Sequence, residues 1–309
     1  MGDVLHALPA VAALRRTWPD AVIDWAIHPK WRDLLDGSRL AVSPILIDRH
    51  DRSSLRHAWR ALRAERYTFA LDLQGLVQSA LAASVARSER VYGFDRSQAR
   101  EPLAAWFYTH RIRAAAAHVV ERGIDLAEAA GAHPGPVEFP LPPGRPEGDL
   151  PARFVLASPL AGWTSKQWPL EYYAALAKLL DAEFGLPLVL NAAPSADATQ
   201  RAVPGVLVHL SGISGLIDAT RRATAVVGLD SGPMHLAAAL AKPGVALFGP
   251  TDPERNGPYG GSLTVLRAPG ATTSYRRGST IGAAMRALTP GLVFDTMSAI
   301  LRRVDSARA

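Results

Sequence analysis

Ala225-Val-Val-Gly-Leu-Asp230-Ser-Gly-Pro-Met-His235-Leu-Ala-Ala-Ala-Leu240 changes character twice along its length. It reads as a buried strand, a tight turn and a helix, with Pro233 in the first helical turn, where a missing N–H is not needed. Strand, turn and helix in succession form the repeating unit of a parallel sheet. The same alternation extends outward in both directions. In the second half strands are expected at Phe154–Ser158, Pro187–Leu190, Val206–Leu210, Ala225–Leu229, Val245–Phe248 and Thr264–Leu266. In the first half they are expected at Val22–Ile27, Ile45–Ile47, Phe69–Leu73 and Arg90–Tyr92. Amphipathic stretches such as Leu5–Trp18 and Leu170–Phe184 supply the helices.

Seven prolines fall within Pro134–Pro151, a composition that suits a linker. The expectation is therefore α/β, with two doubly wound domains facing across a ligand cleft: an N-terminal domain over 1–146 and a C-terminal domain over 147–309. The last helix is a candidate to pack back on the N-terminal domain. The second half opens on a strand, whereas the first opens on Met-Gly-Asp and a helix. A doubly wound sheet places its first strand centrally, and losing it leaves the neighbours without ladder partners. The N-terminal domain is thus expected to lack its first strand, with the recorded start about ten residues late at an internal Met. The other reading is a variant sheet that never had that strand.

Chemistry concentrates in loops that follow strands. Ser231 and Gly232 leave backbone N–H groups at a positive helix end, a setting suited to phosphate, and His235 adds a donor in the first turn. Capping by Asp230, with a packed histidine, explains the same residues without a ligand. In Ser158-Pro-Leu-Ala-Gly-Trp-Thr-Ser-Lys166-Gln-Trp-Pro169, Lys166 suits a diphosphate, with hydroxyls from Thr164 and Ser165 beside it. A surface lysine is the plainer reading. The loop from Phe248 to Gly260 follows a strand on the same edge and could close over a ligand.

Twelve arginines and six acids lie between Arg49 and Arg113, and Arg52, Arg56, Arg60 and Arg63 share one helical face. Arg96 and Arg100 follow. Guanidinium forks grip carboxylates and phosphates, although a solvated arginine face accounts for Arg52 and Arg56 equally well. Asp3 opens the first helix, either as a cap or as a base facing the cleft. Trp106-Phe-Tyr108 could meet a membrane interface, but beside Ala104 and Ala105 the three aromatics read as core.

Composition excludes several classes. The 309 residues carry no cysteine, which removes disulfides, thiolate zinc sites and a cysteine nucleophile. A net charge of +6 is too mild for a dedicated nucleic-acid binder. Only Lys30, Lys166, Lys178 and Lys242 are lysines among 34 basic residues. The apolar stretches are too short to span a bilayer, and no signal peptide is evident, so a cytoplasmic chain is expected. No histidine pair or carboxylate cluster has metal spacing, and Walker, dinucleotide and serine-hydrolase signatures are missing.

Six segments then resemble one family in its own order: Gly2-Asp-Val-Leu-His-Ala-Leu-Pro9, Asp72-Leu-Gln-Gly75, Ser97-Gln-Ala-Arg-Glu-Pro-Leu103, Lys166-Gln-Trp-Pro169, Asp230-Ser-Gly-Pro-Met-His235 and Phe248-Gly-Pro-Thr-Asp-Pro253. Together they resemble the lipopolysaccharide heptosyltransferases, inverting GT-B enzymes of glycosyltransferase family 9, and most of all heptosyltransferase I. The resemblance implies a cytoplasmic enzyme, in contact with the inner membrane surface, that moves heptose from ADP-heptose to the Kdo residues of a lipid A acceptor. It implies neither cofactor nor metal, and no nucleic acid. Asp3 matches the family's catalytic base. Thr164, Ser165, Lys166, Asp230, Ser231, Gly232 and His235 fall on the donor side, and Arg60, Arg63, Gln74, Arg96 and Arg100 on the acceptor side. Where a relative carries a ribose-binding Glu this chain has Ala196, with Asp197 beside it as a substitute, and Thr272–Met285 lacks the family's usual Cys and His.

The mechanism so implied has Lys166 and the Ser231–His235 helix end stabilise departing ADP in place of a metal. Asp3 takes the acceptor hydroxyl's proton. Rival readings are a family 9 transferase using another nucleotide sugar, a nucleotide-sugar epimerase or hydrolase, and a non-catalytic sugar-nucleotide binder.

Overall fold

The computed structural model describes residues 1–194, 203–274 and 278–307. The chain divides into two units, Asp3–Pro142, and Pro143–Ala309 with Met1–Gly2. The first contains, in order, α1 (Gly2–Thr17), β1 (Asp24–Ile27), β2 (Ser43–Leu46), α2 (Arg52–Ala64), β3 (Ala70–Leu71), α3 (Val77–Val85), β4 (Val91–Phe94), β5 (His110–Ile112) and α4 (Val119–Ala129). Two 3-10 turns, Pro29–Leu34 and Pro102–Phe107, interrupt it. All pairings are parallel, but the sheet comes in two pieces, β1–β2 and β3–β4–β5. Among the described residues β1 pairs only with β2, and β3 only with β4, so the two inner edges have no ladder partner. That interruption sits where a doubly wound sheet carries its first strand. The Tyr67 hydroxyl donates to Asp24 Oδ2 at 2.6 Å, linking the chain ahead of β3 to the start of β1. Ala10, Ala13 and Leu14 of α1 pack with Ala127 and Ala132, against Ile23, Phe69, Leu71 and Leu73.

The second unit contains β6 (Val155–Ala157), α5 (Leu170–Phe184), β7 (Leu188–Ala192), β8 (Leu207–Leu210), α6 (Ile213–Arg222), β9 (Ala225–Leu229), α7 (Gly232–Ala239), β10 (Gly244–Phe248), α8 (Pro253–Asn256), β11 (Leu263–Arg267), α9 (Ala283–Ala287) and α10 (Pro290–Ser306). Six parallel strands run in the order β11-β10-β9-β6-β7-β8. The order reverses at β6, so ligands are expected beyond the carboxyl ends of β6 and β9. All residues of β6, β7, β9 and β10 are buried, as strands covered on both faces must be.

The apolar face of the final helix, α10, packs within the second unit. Val293, Met297, Ile300 and Leu301 belong to the second unit's core, and Arg302 pairs with Glu183 of α5 at 2.8 Å. The proline-rich segment is tied to the second unit by hydrogen bonds. Its Glu147 carboxylate accepts from Gly212 N at 2.7 Å and Gly215 N at 2.9 Å, satisfying donors at the start of α6 that the helix cannot. The division between units falls at Pro142 and Pro143, ahead of the expected boundary after residue 146.

Candidate active site

In the first unit the functional groups stand on a turn held from below. Asp72, just past β3, is buried, and four donors converge on its carboxylate. Tyr108 Oη at 2.6 Å and Ser79 Oγ at 2.8 Å donate to Oδ2, while Gln74 N at 2.9 Å and Gly75 N at 3.2 Å donate to Oδ1. Burial pushes the Asp72 carboxyl above the ordinary carboxylate range, against the opposing pull of these hydrogen bonds, Tyr108's foremost. Burial, and then the neighbouring Asp72 charge, push the Tyr108 hydroxyl up as well. Tyr108 reaches Asp72 because its ring lies over Gly93 of β4, where a Cβ would come within 2.3 Å of ring carbon.

The turn fixes Gln74 and Gly75. Gly75 has φ +68°, and a Cβ there would stand 3.0 Å from the Arg100 backbone nitrogen. The two segments are joined by Glu101 N donating to Gly75 O at 2.9 Å and Val77 N donating to Glu101 Oε2 at 2.7 Å. Above them Asp3, in the first turn of α1, accepts from Gln74 Nε2 at 3.3 Å and from Arg100 Nη1 at 3.2 and 3.3 Å. Its side chain remains about half exposed. Asp3 is thus an oriented, solvent-accessible carboxylate and not a helix cap.

Arg60 and Arg63 lie on the exposed face of α2, Arg63 with its guanidinium 5.7 Å from the Trp59 ring. Arg96 is exposed in the loop after β4. Of the expected acceptor residues, Gln74 and Arg100 are brought to Asp3 by hydrogen bonds.

In the second unit the loop after β6 is anchored by Trp168. That indole is buried, donates Nε1–H to Leu288 O at 2.7 Å and meets Tyr173 edge-on at 4.8 Å. Two residues earlier, Lys166 ends a 3-10 turn, Thr164–Lys166, with its ammonium 4.3 Å from the Trp163 ring. Lys166 Nζ pairs with Asp230 Oδ2 at 2.6 Å, and both side chains are largely buried. The surface-lysine reading therefore fails. Thr251 Oγ1, buried in the loop after β10, donates to the same oxygen at 2.5 Å. Asp230 is occupied in this way and does not cap α7. Ser231 holds the cap position, but its side chain makes no cap bond, and its buried hydroxyl has no hydrogen-bond partner. The Ser165 hydroxyl is likewise buried and unpartnered. His235 is buried one turn into α7, with Nε2 3.9 Å from Asp230 Oδ1.

Thr251, Asp72 and Tyr108 escaped the sequence reading as site residues. The first two lie in segments that carried the family resemblance, which is the signal that could have found them. Asp197 and Ala196 lie outside the described residues. Among the described residues no group of three or more His, Asp or Glu could hold a metal ion, and no described helix is long and apolar enough to cross a membrane.

The profile of glycosyltransferase family 9 (heptosyltransferase) matches residues 55–282. The chain belongs to that family. Lipopolysaccharide heptosyltransferase 1 of Pseudomonas aeruginosa is 31% identical over 297 residues, covering 86% of this chain and 81% of the relative. The Escherichia coli enzyme of the same name is 32% identical over 302 residues, covering 87% and 91%. Among solved structures, E. coli heptosyltransferase WaaC with ADP superposes at a TM-score of 0.78, with 26% identity and 96% of each chain covered. A family 9 glycosyl transferase from Veillonella parvula superposes at 0.81 with 19% identity, over 98% of this chain and 94% of its own, a likeness of fold. The family 9 chain is thus a GT-B glycosyltransferase of heptosyltransferase type, in lipopolysaccharide biosynthesis.

Proposed function

We propose that the chain transfers heptose from ADP-heptose to an acidic, Kdo-bearing, lipid-linked acceptor, inverting the anomeric centre, with Asp3 as general base. The observation that carries this reading is Asp3 itself, an accessible carboxylate fixed by Gln74 and Arg100 at the start of a helix. A base must be held within hydrogen-bond reach of the hydroxyl it deprotonates. The acceptor oxygen forms a bond to the anomeric carbon, that carbon's bond to the diphosphate oxygen breaks, and the acceptor proton passes to Asp3. Arg100, with Arg60, Arg63 and Arg96, holds the acceptor's carboxylates.

On the donor side, Lys166 and the N-terminus of α7 stabilise charge developing on the departing ADP. The unpartnered hydroxyls of Ser165 and Ser231 support this assignment, since buried donors without partners are rare in a folded chain unless a ligand uses them. Solved relatives include WaaC with ADP and WaaC with ADP-2-deoxy-2-fluoro heptose. The acceptor's lipid anchor implies work at the inner membrane's cytoplasmic face.

ADP release, measured with and without a Kdo-lipid A acceptor, tests the reading. Acceptor-dependent release with an inverted product anomer is expected. Acceptor-independent release would make the chain a hydrolase, and no release would make it a binder.

A further inference from the structure

Three neighbouring elements of the first unit leave large apolar side chains in solvent. α3 packs on α2 along one side and on the Pro102–Phe107 turn along the other. Ala58 and Leu62 of α2 face inward with Ile45, against Ala82 and Val85 of α3, while Leu55 and Trp59 stay exposed. Leu81 is exposed on α3. In the 3-10 turn Ala104 and Ala105 are buried, whereas Leu103 is 62% exposed and Trp106 73%. An indole this open is unusual, because Trp side chains are mostly buried in folded chains. The expectation that the aromatics at 106–108 are core is therefore corrected: Tyr108 is core and Trp106 is not.

The same surface is basic. α2 carries Arg52, Arg56, Arg60 and Arg63 with no acidic residue between Arg52 and Ala64. Arg49 leads into it and donates from Nη1 to Gln78 Oε1 of α3 at 3.2 Å. Apolar and aromatic groups set among arginines on a helix that lies along the surface match the chemistry of a bilayer interface. The turn begins two residues after Arg100, with Glu101 between them, so this face adjoins the Asp3 cluster.

We propose that the outer faces of α2, α3 and the Pro102–Phe107 turn dock on an anionic lipid bilayer, with Leu103 and Trp106 entering the headgroup region and Arg52 and Arg56 of α2 meeting anionic headgroups. The proposal rests on the reading of the acceptor as lipid-linked, since docking there brings membrane-bound substrate beside Asp3.

Flotation with vesicles, without donor or acceptor, tests it. The whole chain floats with phosphatidylethanolamine vesicles containing phosphatidylglycerol, sediments with phosphatidylcholine vesicles, and is released by salt. Arg52→Ser with Arg56→Ser lowers affinity for the anionic vesicles about fivefold per arginine. Leu103→Ser with Trp106→Ser lowers it by about tenfold or more, from the loss of inserted apolar area. Both variants keep the wild-type melting temperature and ADP affinity. A wild-type chain that does not float, variants that float equally well, or a wild-type dimer that both variants convert to monomer would each overturn docking. Failure of heptose transfer leaves the flotation result standing, so the two readings fail separately.

Discussion

Removal of the Asp230 carboxylate tests the proposed donor site of the second unit. In Asp230→Ala the Lys166 ammonium loses the partner at 2.6 Å and Thr251 loses its acceptor at 2.5 Å. The Lys166 side chain is only 14% exposed and the Asp230 side chain 9%, so water replaces little of what is lost. Breaking a buried pair by deleting one partner costs about 3–5 kcal/mol, because a desolvated charge is left behind. In a unit of this size that lowers the melting temperature by about 6–20 °C. The second substitution is decisive. Lys166→Ala added to Asp230→Ala removes the orphaned charge, so the double variant should melt higher than Asp230→Ala alone. ADP should recover part of the loss in Asp230→Ala, where its diphosphate can take the carboxylate's place, and none in the double variant. Calorimetry with and without ADP reads both effects. Simple additivity of the two substitutions would show that the pair is not coupled, and equal ADP stabilisation of both variants would remove Lys166 from the donor site.

Asp3→Asn keeps the shape of the cluster and should cut kcat by about 10²–10⁴ with donor affinity unchanged, as for loss of a general base; full turnover in steady-state assays would move the base elsewhere. Gly75→Ala forces a side chain onto φ +68° and against the Arg100 backbone, so about 1–2 kcal/mol of stability is lost and the acceptor KM rises more than the donor KM. Asp72→Ala strands four donors and should cost about 3 kcal/mol in chemical denaturation. Because burial raises the Asp72 carboxyl, its favourable contribution is present below the ordinary carboxylate range and declines as pH rises through the raised value. Tyr108→Phe, by removing the foremost stabiliser of the charged form, should extend that decline to higher pH; superimposable stability–pH curves for the two proteins would refute the account.

The second unit was legible because its strands are continuous apolar runs between clear turns. β9 and α5 fall on the expected bounds, and the other strands lie within two residues of theirs. The first unit was harder to read for a physical reason. β3 is only Ala70–Leu71 where Phe69–Leu73 was expected, and it has a ladder on one side only. β5, His110-Arg-Ile112, is a half-exposed edge with two polar residues and no apolar run to betray it. Asp3, Lys166 and Asp230, the proposed site residues, stood out in the sequence because each stands at the end of an element. The partners that give them geometry could not, since Tyr108 meets Asp72 across 36 positions and Thr251 meets Asp230 across 21. Such contacts depend on the sheet order and leave no local pattern. Trp106 was misread for the opposite reason: its neighbours Ala104 and Ala105 are core, but a 3-10 turn places residues three apart on one side, and Leu103 and Trp106 share the outer one.

Both units solve one physical problem in the same way. A loop at the carboxyl edge of a parallel sheet must hold a functional side chain still while remaining open to substrate, and open loops have little packing to restrain them. In each case an aspartate just past a strand is buried and surrounded by donors, so the loop cannot shift without stranding a desolvated carboxylate. Asp72 holds the turn that carries Gln74, and the Gly75–Glu101 contact extends that hold to the segment carrying Arg100. Asp230 holds Lys166 directly and ties it to the Thr251 loop. The two differ in what a ligand can change. Asp72 is enclosed by neutral donors from the chain itself, which suits a fixed platform beneath Asp3. Asp230 shares its oxygen with a cation that an anionic diphosphate can compete for, which makes Lys166 the more responsive of the two arrangements. Donor binding should therefore alter the packing around Asp230 and leave that around Asp72 unchanged.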